Sequence, residues 1–161
     1  MSLFYNMFTI TLMISAPIII AALGGLFSER SGIVNIALDG IMLVGAFVTA
    51  AVVVVLDPSG ANSRTAILIG LIAGTAAGMV FSLLHAYASI DLNADQTVSG
   101  TALNLLAAGI TVYLCQIFFN QQRTPAFIRG ITRIDVPVLK DIPVLGEMFF
   151  KQVHPTFYLT I

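Results

Sequence analysis

The chain has 161 residues, of which 58% are hydrophobic and only 9% are charged, and its mean hydropathy is +0.97. Soluble domains carry roughly 25% charged residues, so this composition excludes an ordinary soluble domain and indicates a membrane protein. The formal net charge is −1, whereas nucleic-acid-binding proteins carry an excess of basic residues. This indicates that nucleic acid is not a partner. Cys115 is the only cysteine of this sequence, so it cannot form an intrachain disulfide or a cysteine-based metal site.

The first predicted membrane span covers residues 3–27, inside a window without charged side chains that extends to Ser28. This window exceeds the about 20 apolar residues that a helix needs to cross a bilayer. A secretory signal peptide is the alternative interpretation. However, no basic residue precedes the window, and its apolar stretch exceeds the about 7–15 residues of a signal peptide. We therefore interpret residues 3–27 as a retained span.

A break, or re-entrant segment, is predicted at residues 28–39. The charged pair Glu29 and Arg30 interrupts the apolar sequence, which then resumes with Asn35 and Asp39. Several glycines flank this stretch and lower its helix propensity. An ionisable group is costly in a bilayer and usually faces a bundle interior, a cavity or a partner. Discontinuous helices of this kind form polar sites near the bilayer midplane.

The second and third spans are predicted at residues 36–56 and 65–88. Small residues recur at every fourth position of the third span, namely Ala66, Gly70, Gly74, Gly78, Ser82 and Ala86. Such a face lets the backbone of another helix approach closely, which drives helix association in lipid. We therefore predict that Gly70, Gly74 and Gly78 form a helix-packing face. A sliding surface used in gating is the alternative interpretation.

The fourth predicted span, residues 97–119, carries a polar stripe. Its members follow steps of three or four residues, namely Thr97, Thr101, Asn104, Ala108 and Thr111. A similar stripe begins at Asn35, just before the second span, and continues along that span with Asp39, Met42, Ala46 and Thr49. Two polar stripes on otherwise apolar segments are expected to face each other or a shared wet cavity, lined by Asn35, Asp39, Thr101 and Asn104. Interhelical hydrogen bonds, worth about 0.6 kcal/mol per pair, are the alternative.

A long polar connection follows at residues 120–152, with DVPVL at 135–139 repeated as DIPVL at 141–145. Each proline favours extended backbone in the residue before it. A last apolar run begins at residue 153 and is too short to span a bilayer. We interpret residues 1–161 as the N-terminal part of a single transmembrane domain, with a fifth span starting at 153–161. A short interfacial tail is the alternative.

Three segments together resemble the signatures of one protein family. They read LGGLFSERSGIVNIALDGIMLVGA at 23–46, DQTVSGTALNLLAAG at 95–109 and PVLKDIPVLGEMFF at 137–150. The chain resembles the permease subunits of ABC importers for nucleosides and simple sugars, which are relatives of the branched-chain amino-acid permeases. The resemblance implies an all-α, polytopic transmembrane helical bundle in which residues 120–152 form an extracytoplasmic loop.

The resemblance also implies a mechanism and a set of partners. In this family two permease subunits are rocked around a central site by cytoplasmic ATP-binding subunits, and an extracytoplasmic substrate-binding protein delivers the ligand. Asn35, Asp39, Thr101 and Asn104 would then line the substrate path. The chain lacks the glycine–lysine phosphate loop of ATPases, so no cofactor is expected in it and ATP would be bound by a partner subunit. The implied location is a bacterial cell membrane, in contact with membrane lipid.

Other functions remain open from the residues alone. No GxSxG or HExxH motif indicates an enzyme. His85 and His154 lack nearby carboxylates at ligand spacing, so no metal site is predicted, and His85 is expected at the membrane interface. A non-transporting membrane subunit, a truncated remnant and a permease for branched-chain amino acids are the alternatives to a nucleoside or sugar permease.

Overall fold

The computed structural model describes residues 2–58 and 64–125. These residues form four helices: α1 is Ser2–Arg30, α2 is Leu38–Leu56, α3 is Arg64–Ile90 and α4 is Gln96–Phe119. The described residues contain no strand, which confirms the all-α prediction. Within them, α2, α3 and α4 are long and apolar enough to cross a membrane. The predicted span at 3–27 lies in α1, and its crossing of the membrane stays a prediction. The predicted loop after residue 125 and the predicted fifth span lie outside the described residues.

The described residues divide into two compact units, one containing residues 2–24 and the other residues 25–58 and 64–125. The second unit holds α2, α3 and α4, and its large hydrophobic side chains mostly face outward. Ile72 and Leu105 are each 71% exposed, and Val55 is 70% exposed. The interior instead collects small residues such as Ala66 and Ala107, together with Phe47, Val53 and Leu103. An apolar exterior around a small-residue interior is the pattern of helices that pack within lipid.

The break is shorter than the predicted 28–39 and covers residues 31–37. Helix α1 continues through Glu29 and Arg30, because both residues are favourable in helices and the pair can lie in a last turn. Gly32 then ends the helix with a left-handed φ of 90°, a conformation that costs glycine little. Its N–H donates to the Glu29 carbonyl (3.0 Å), and the Ile33 N–H donates to the Ser28 carbonyl (3.3 Å), which is the Schellman pattern.

Helices α2 and α3 pack closely and antiparallel. Gly70 faces Val53 and the Thr49 carbonyl, Gly74 faces Thr49 and the Gly45 carbonyl, and Gly78 faces Ile41. Later residues of α3 therefore meet earlier residues of α2. All three glycines of α3 are buried. The small-residue face thus lies against α2 over more than two helical turns.

Helix α4 runs parallel to α2 and begins at a side-chain cap. The Asp95 carboxylate accepts from the backbone N–H groups of Thr97 (2.8 Å) and Val98 (3.0 Å), which otherwise have no intrahelical partner. Gly40 near the start of α2 lies against Asn104 and Ala107 of α4. At its other end, α4 stops at Asn120, which takes the left-handed conformation with φ 55°. This arrangement places the first half of α4 beside the break.

Candidate functional site

Side chains from α3 and α4 bind the backbone of the break. The Val34 N–H donates to Gln96 Oε1 at 2.8 Å, and the Val34 carbonyl lies 3.4 Å from His85 Nε2. Non-helical backbone at membrane depth is tolerated only where its polar groups find partners within the protein or water. These contacts therefore supply the partners that a continuous helix would have provided.

Asn104 of α4 makes two further contacts across the break. Its Nδ2 donates to the Ile36 carbonyl at 2.9 Å, and its Oδ1 accepts from the Gly40 N–H at 2.8 Å. The residue at the N-cap of α2 is Ala37, which offers no side-chain acceptor. Asn104 thus supplies, from another helix, the acceptor that an N-cap side chain normally provides. We call Gln96, His85 and Asn104 the break clamp.

Close backbone packing holds the break against α4. A Cβ placed on Gly100 would lie 2.7 Å from Ile36 Cβ and 3.1 Å from the Ala37 nitrogen. Both distances are shorter than ordinary van der Waals contact, so any larger residue at position 100 would move the break away. Gly100 therefore allows the approach that the hydrogen bonds of the break clamp require.

His85 is buried, with only 3% of its surface exposed. Its Nδ1 lies 3.2 Å from Ser99 Oγ, opposite the contact with Val34. Because a carbonyl oxygen can only accept, the contact with Val34 requires a proton on Nε2, while the Ser99 hydroxyl can either donate to Nδ1 or accept from it. Burial among the helices does not fix the depth of His85 in the membrane, so its interfacial position stays a prediction. His85 follows Gly78 by seven residues, which places it on the small-residue face.

The four predicted substrate-path residues occupy different environments. Asn35 lies in the break, where its Oδ1 accepts from the Ala37 N–H at 3.1 Å, and Asn104 belongs to the break clamp. Asp39 is exposed in the first turn of α2, where the helix dipole favours a carboxylate. Thr101 is exposed, and its hydroxyl donates to the Thr97 carbonyl at 2.7 Å. The structure thus joins Asn35 and Asn104 to the backbone of the break, and a substrate contact by any of the four stays a prediction.

A cavity of about 280 Å³ lies between α2 and α4. Its lining includes Leu43 and Phe47 of α2, Thr111 and Cys115 of α4, and Gln122 and Arg123 just after α4. Phe47 lies at the middle of α2, and Thr111 belongs to the polar stripe that the sequence indicated on α4. Within the described part of the chain, no cluster of His, Cys, Asp or Glu is placed to hold a metal ion.

Comparison with known sequences identifies the family. Residues 7–139 match the family described as branched-chain amino acid transport system / permease component. The chain belongs to this permease family. The predicted resemblance to a permease family is thereby confirmed, and three apolar helices support the predicted membrane location. No solved structure matches the chain.

Three relatives of the permease are named for transport. The guanosine ABC transporter permease protein NupQ of Bacillus subtilis is 44% identical over 94% of this chain and 47% of its own length. The nucleoside ABC transporter permease protein NupC of Lactococcus lactis is 42% identical over 93% of this chain and 46% of its own. The putative glucose ABC transporter permease protein TsgC13 of Haloferax volcanii is 31% identical over 100% of this chain and 46% of its own length. The chain spans about half the length of these relatives.

Removing the His85 side chain tests the buried end of the break clamp. In the assembled permease, His85→Ala leaves both the Val34 carbonyl and the Ser99 hydroxyl without their side-chain partner. We expect the free energy of unfolding to fall by about 1–3 kcal/mol, the usual cost of unsatisfied buried polar groups. The thermal midpoint of the detergent-solubilised permease measures the change. Leu84→Ala, at a side chain that is 50% exposed, is the control and should change the midpoint much less. Equal midpoints for both variants would contradict a stabilising role for His85.

Proposed function

We propose that this chain forms part of the translocation path of an ATP-driven importer for nucleosides. The observation that carries the proposal is the 44% and 42% identity, over more than nine-tenths of the chain, to permeases named for guanosine and nucleosides. The relative named for glucose is more distant, at 31% identity. The polar break, the apolar exterior and the cavity between α2 and α4 are compatible with a transport path.

The proposed mechanism is alternating access. The partners are a second permease subunit, cytoplasmic subunits that bind and hydrolyse ATP, and an extracytoplasmic substrate-binding protein. In this mechanism the chain itself holds no cofactor, and ATP is bound by the cytoplasmic subunits. In such a cycle groups of helices move as rigid bodies around a central site. The break clamp joins the α1–α2 junction to α3 and α4, so these elements would move together.

Uptake measurements test the substrate class. The full coding sequence that contains this chain is expressed with its partner genes in bacteria lacking their own nucleoside uptake. We expect radiolabelled guanosine to accumulate in an ATP-dependent manner and unlabelled nucleosides to compete. Excess glucose or leucine should compete little. Competition by glucose without competition by nucleosides would identify sugars as the substrate class. Competition by leucine alone would identify amino acids as the substrate class.

A further inference from the structure

Two of the four residues predicted to contact substrate, Asn35 and Asn104, already use their amides in hydrogen bonds to backbone. Asn104 Nδ2 donates to the Ile36 carbonyl of the break, Asn104 Oδ1 accepts from the Gly40 N–H in the first turn of α2, and Asn35 Oδ1 accepts from the Ala37 N–H. A ligand at the break would therefore have to displace these bonds. The cavity between α2 and α4 offers a space that needs no such displacement.

The position and size of this cavity fit a transported ligand. Its lining extends from Phe47 at the middle of α2 to Gln122 and Arg123 just after the end of α4, so a ligand there would lie along two candidate membrane spans. Its volume of about 280 Å³ is close to the lower end of the about 300–1,000 Å³ range of small-molecule pockets. The cavity is therefore large enough for a planar ring system with a small substituent.

The chemistry of the lining divides into an apolar part and a polar part. Phe47, 9% exposed, offers an aromatic face, and Cys115, 5% exposed, lies in the opposite helix. The Thr111 hydroxyl donates its proton to the Ala107 carbonyl at 2.8 Å, which leaves its oxygen free to accept. Gln122 and Arg123 are exposed and bring amide and guanidinium donors to the same cavity. Proteins recognise nucleobases by stacking an aromatic ring on the base and by directing charged or amide hydrogen-bond donors at its edge.

We infer that this cavity binds the base of a nucleoside, an inference that rests on the proposed function. Phe47 contacts the face of the base, and Arg123 donates to its edge. The guanidinium fork matches two neighbouring acceptors, which guanine presents as O6 and N7. Adenine presents one donor and one acceptor on this edge, which suits an amide better. Arg123 therefore favours guanosine over adenosine.

Protection of Cys115 tests occupancy directly. Any other cysteine of the full-length permease is replaced, and the alkylation rate of Cys115 by N-ethylmaleimide is measured in membranes. We expect guanosine to slow alkylation and glucose at the same concentration to leave the rate unchanged. Alkylation after denaturation shows that the thiol is intact. A Cys115 that reacts equally with and without guanosine, or that reacts only after denaturation, overturns the inference.

Uptake kinetics test the two recognition residues. Phe47→Leu keeps an apolar side chain but removes the aromatic face, so the KM for guanosine should rise about tenfold or more while assembly and kcat change little. Arg123→Gln should lower the guanosine-to-adenosine preference by about tenfold. Phe118→Leu, at a phenylalanine that is 66% exposed, is the matched control. Unchanged KM and preference in both variants, with guanosine still transported, would refute the cavity and leave the proposed function intact. Absence of guanosine uptake in the unmodified permease would instead refute the proposed function.

Discussion

Replacing Gly74 by leucine is expected to abolish assembly of the permease. A Cβ placed on Gly74 would overlap Thr49 Oγ1 and would lie 2.5 Å from the Gly45 carbonyl oxygen. The Thr49 hydroxyl already donates to that carbonyl at 2.8 Å, so neither group can move without losing its partner. A leucine would separate α2 from α3 along the whole small-residue face. Gly74→Ala should already cost about 1–3 kcal/mol, the usual penalty of an overfilled interior.

Membrane expression and size-exclusion profiles of the full-length permease measure the effect of these variants. Gly109→Ala is the matched control, because a Cβ on Gly109 meets nothing within 4 Å and alanine has the higher helix propensity. Ile72→Leu, at a side chain that is 71% exposed, should also be tolerated. Adding Thr49→Ala to Gly74→Ala should restore part of the lost stability, because it removes one of the two obstacles. Normal assembly of Gly74→Leu would show that α2 and α3 do not pack in this manner.

Replacing Asn104 by alanine is expected to lower the stability of the permease by about 2–4 kcal/mol. The substitution leaves the Ile36 carbonyl and the Gly40 N–H without their side-chain partners, and each unsatisfied group costs about 1–3 kcal/mol. Asn104→Asp retains an acceptor for Gly40 but turns a second oxygen toward the Ile36 carbonyl. It should therefore recover little of the loss.

Assembly and uptake must be measured on the same membranes for the Asn104 variants. A structural role predicts fewer assembled complexes with near-normal uptake per complex. Leu105→Ala, at a neighbouring side chain that is 71% exposed, is the control for a truncation on α4. Normal assembly combined with reduced guanosine uptake would instead make Asn104 a substrate contact, as the polar stripe of α4 predicts.

Local features of the sequence determined the fold class and much of its organisation. Long windows without charge predict membrane helices because charge is costly in lipid, and the bounds of α2 and α4 differ from the predictions by at most two residues. The break was located correctly but too broadly, because the charged pair Glu29 and Arg30 was read as its start. Its start is instead set by the positive φ of Gly32, a backbone property that charge does not reveal. The spacing of four residues along α3 likewise indicated one small-residue face.

The tertiary structure alone decided which helices these faces meet. Periodicity shows that residues share a face, but it contains no information about the partner of that face. The side chains of the break clamp lie 51 to 68 positions in sequence from the backbone groups that they bind. Neither the burial of His85 nor the two hydrogen bonds of Asn104 could therefore be derived from local sequence. The cavity likewise exists only because α2 and α4 run parallel and the residues after α4 lie beside both. Sequence therefore determined which side chains were polar and on which face, and packing determined whether those side chains bind backbone or remain available to a ligand.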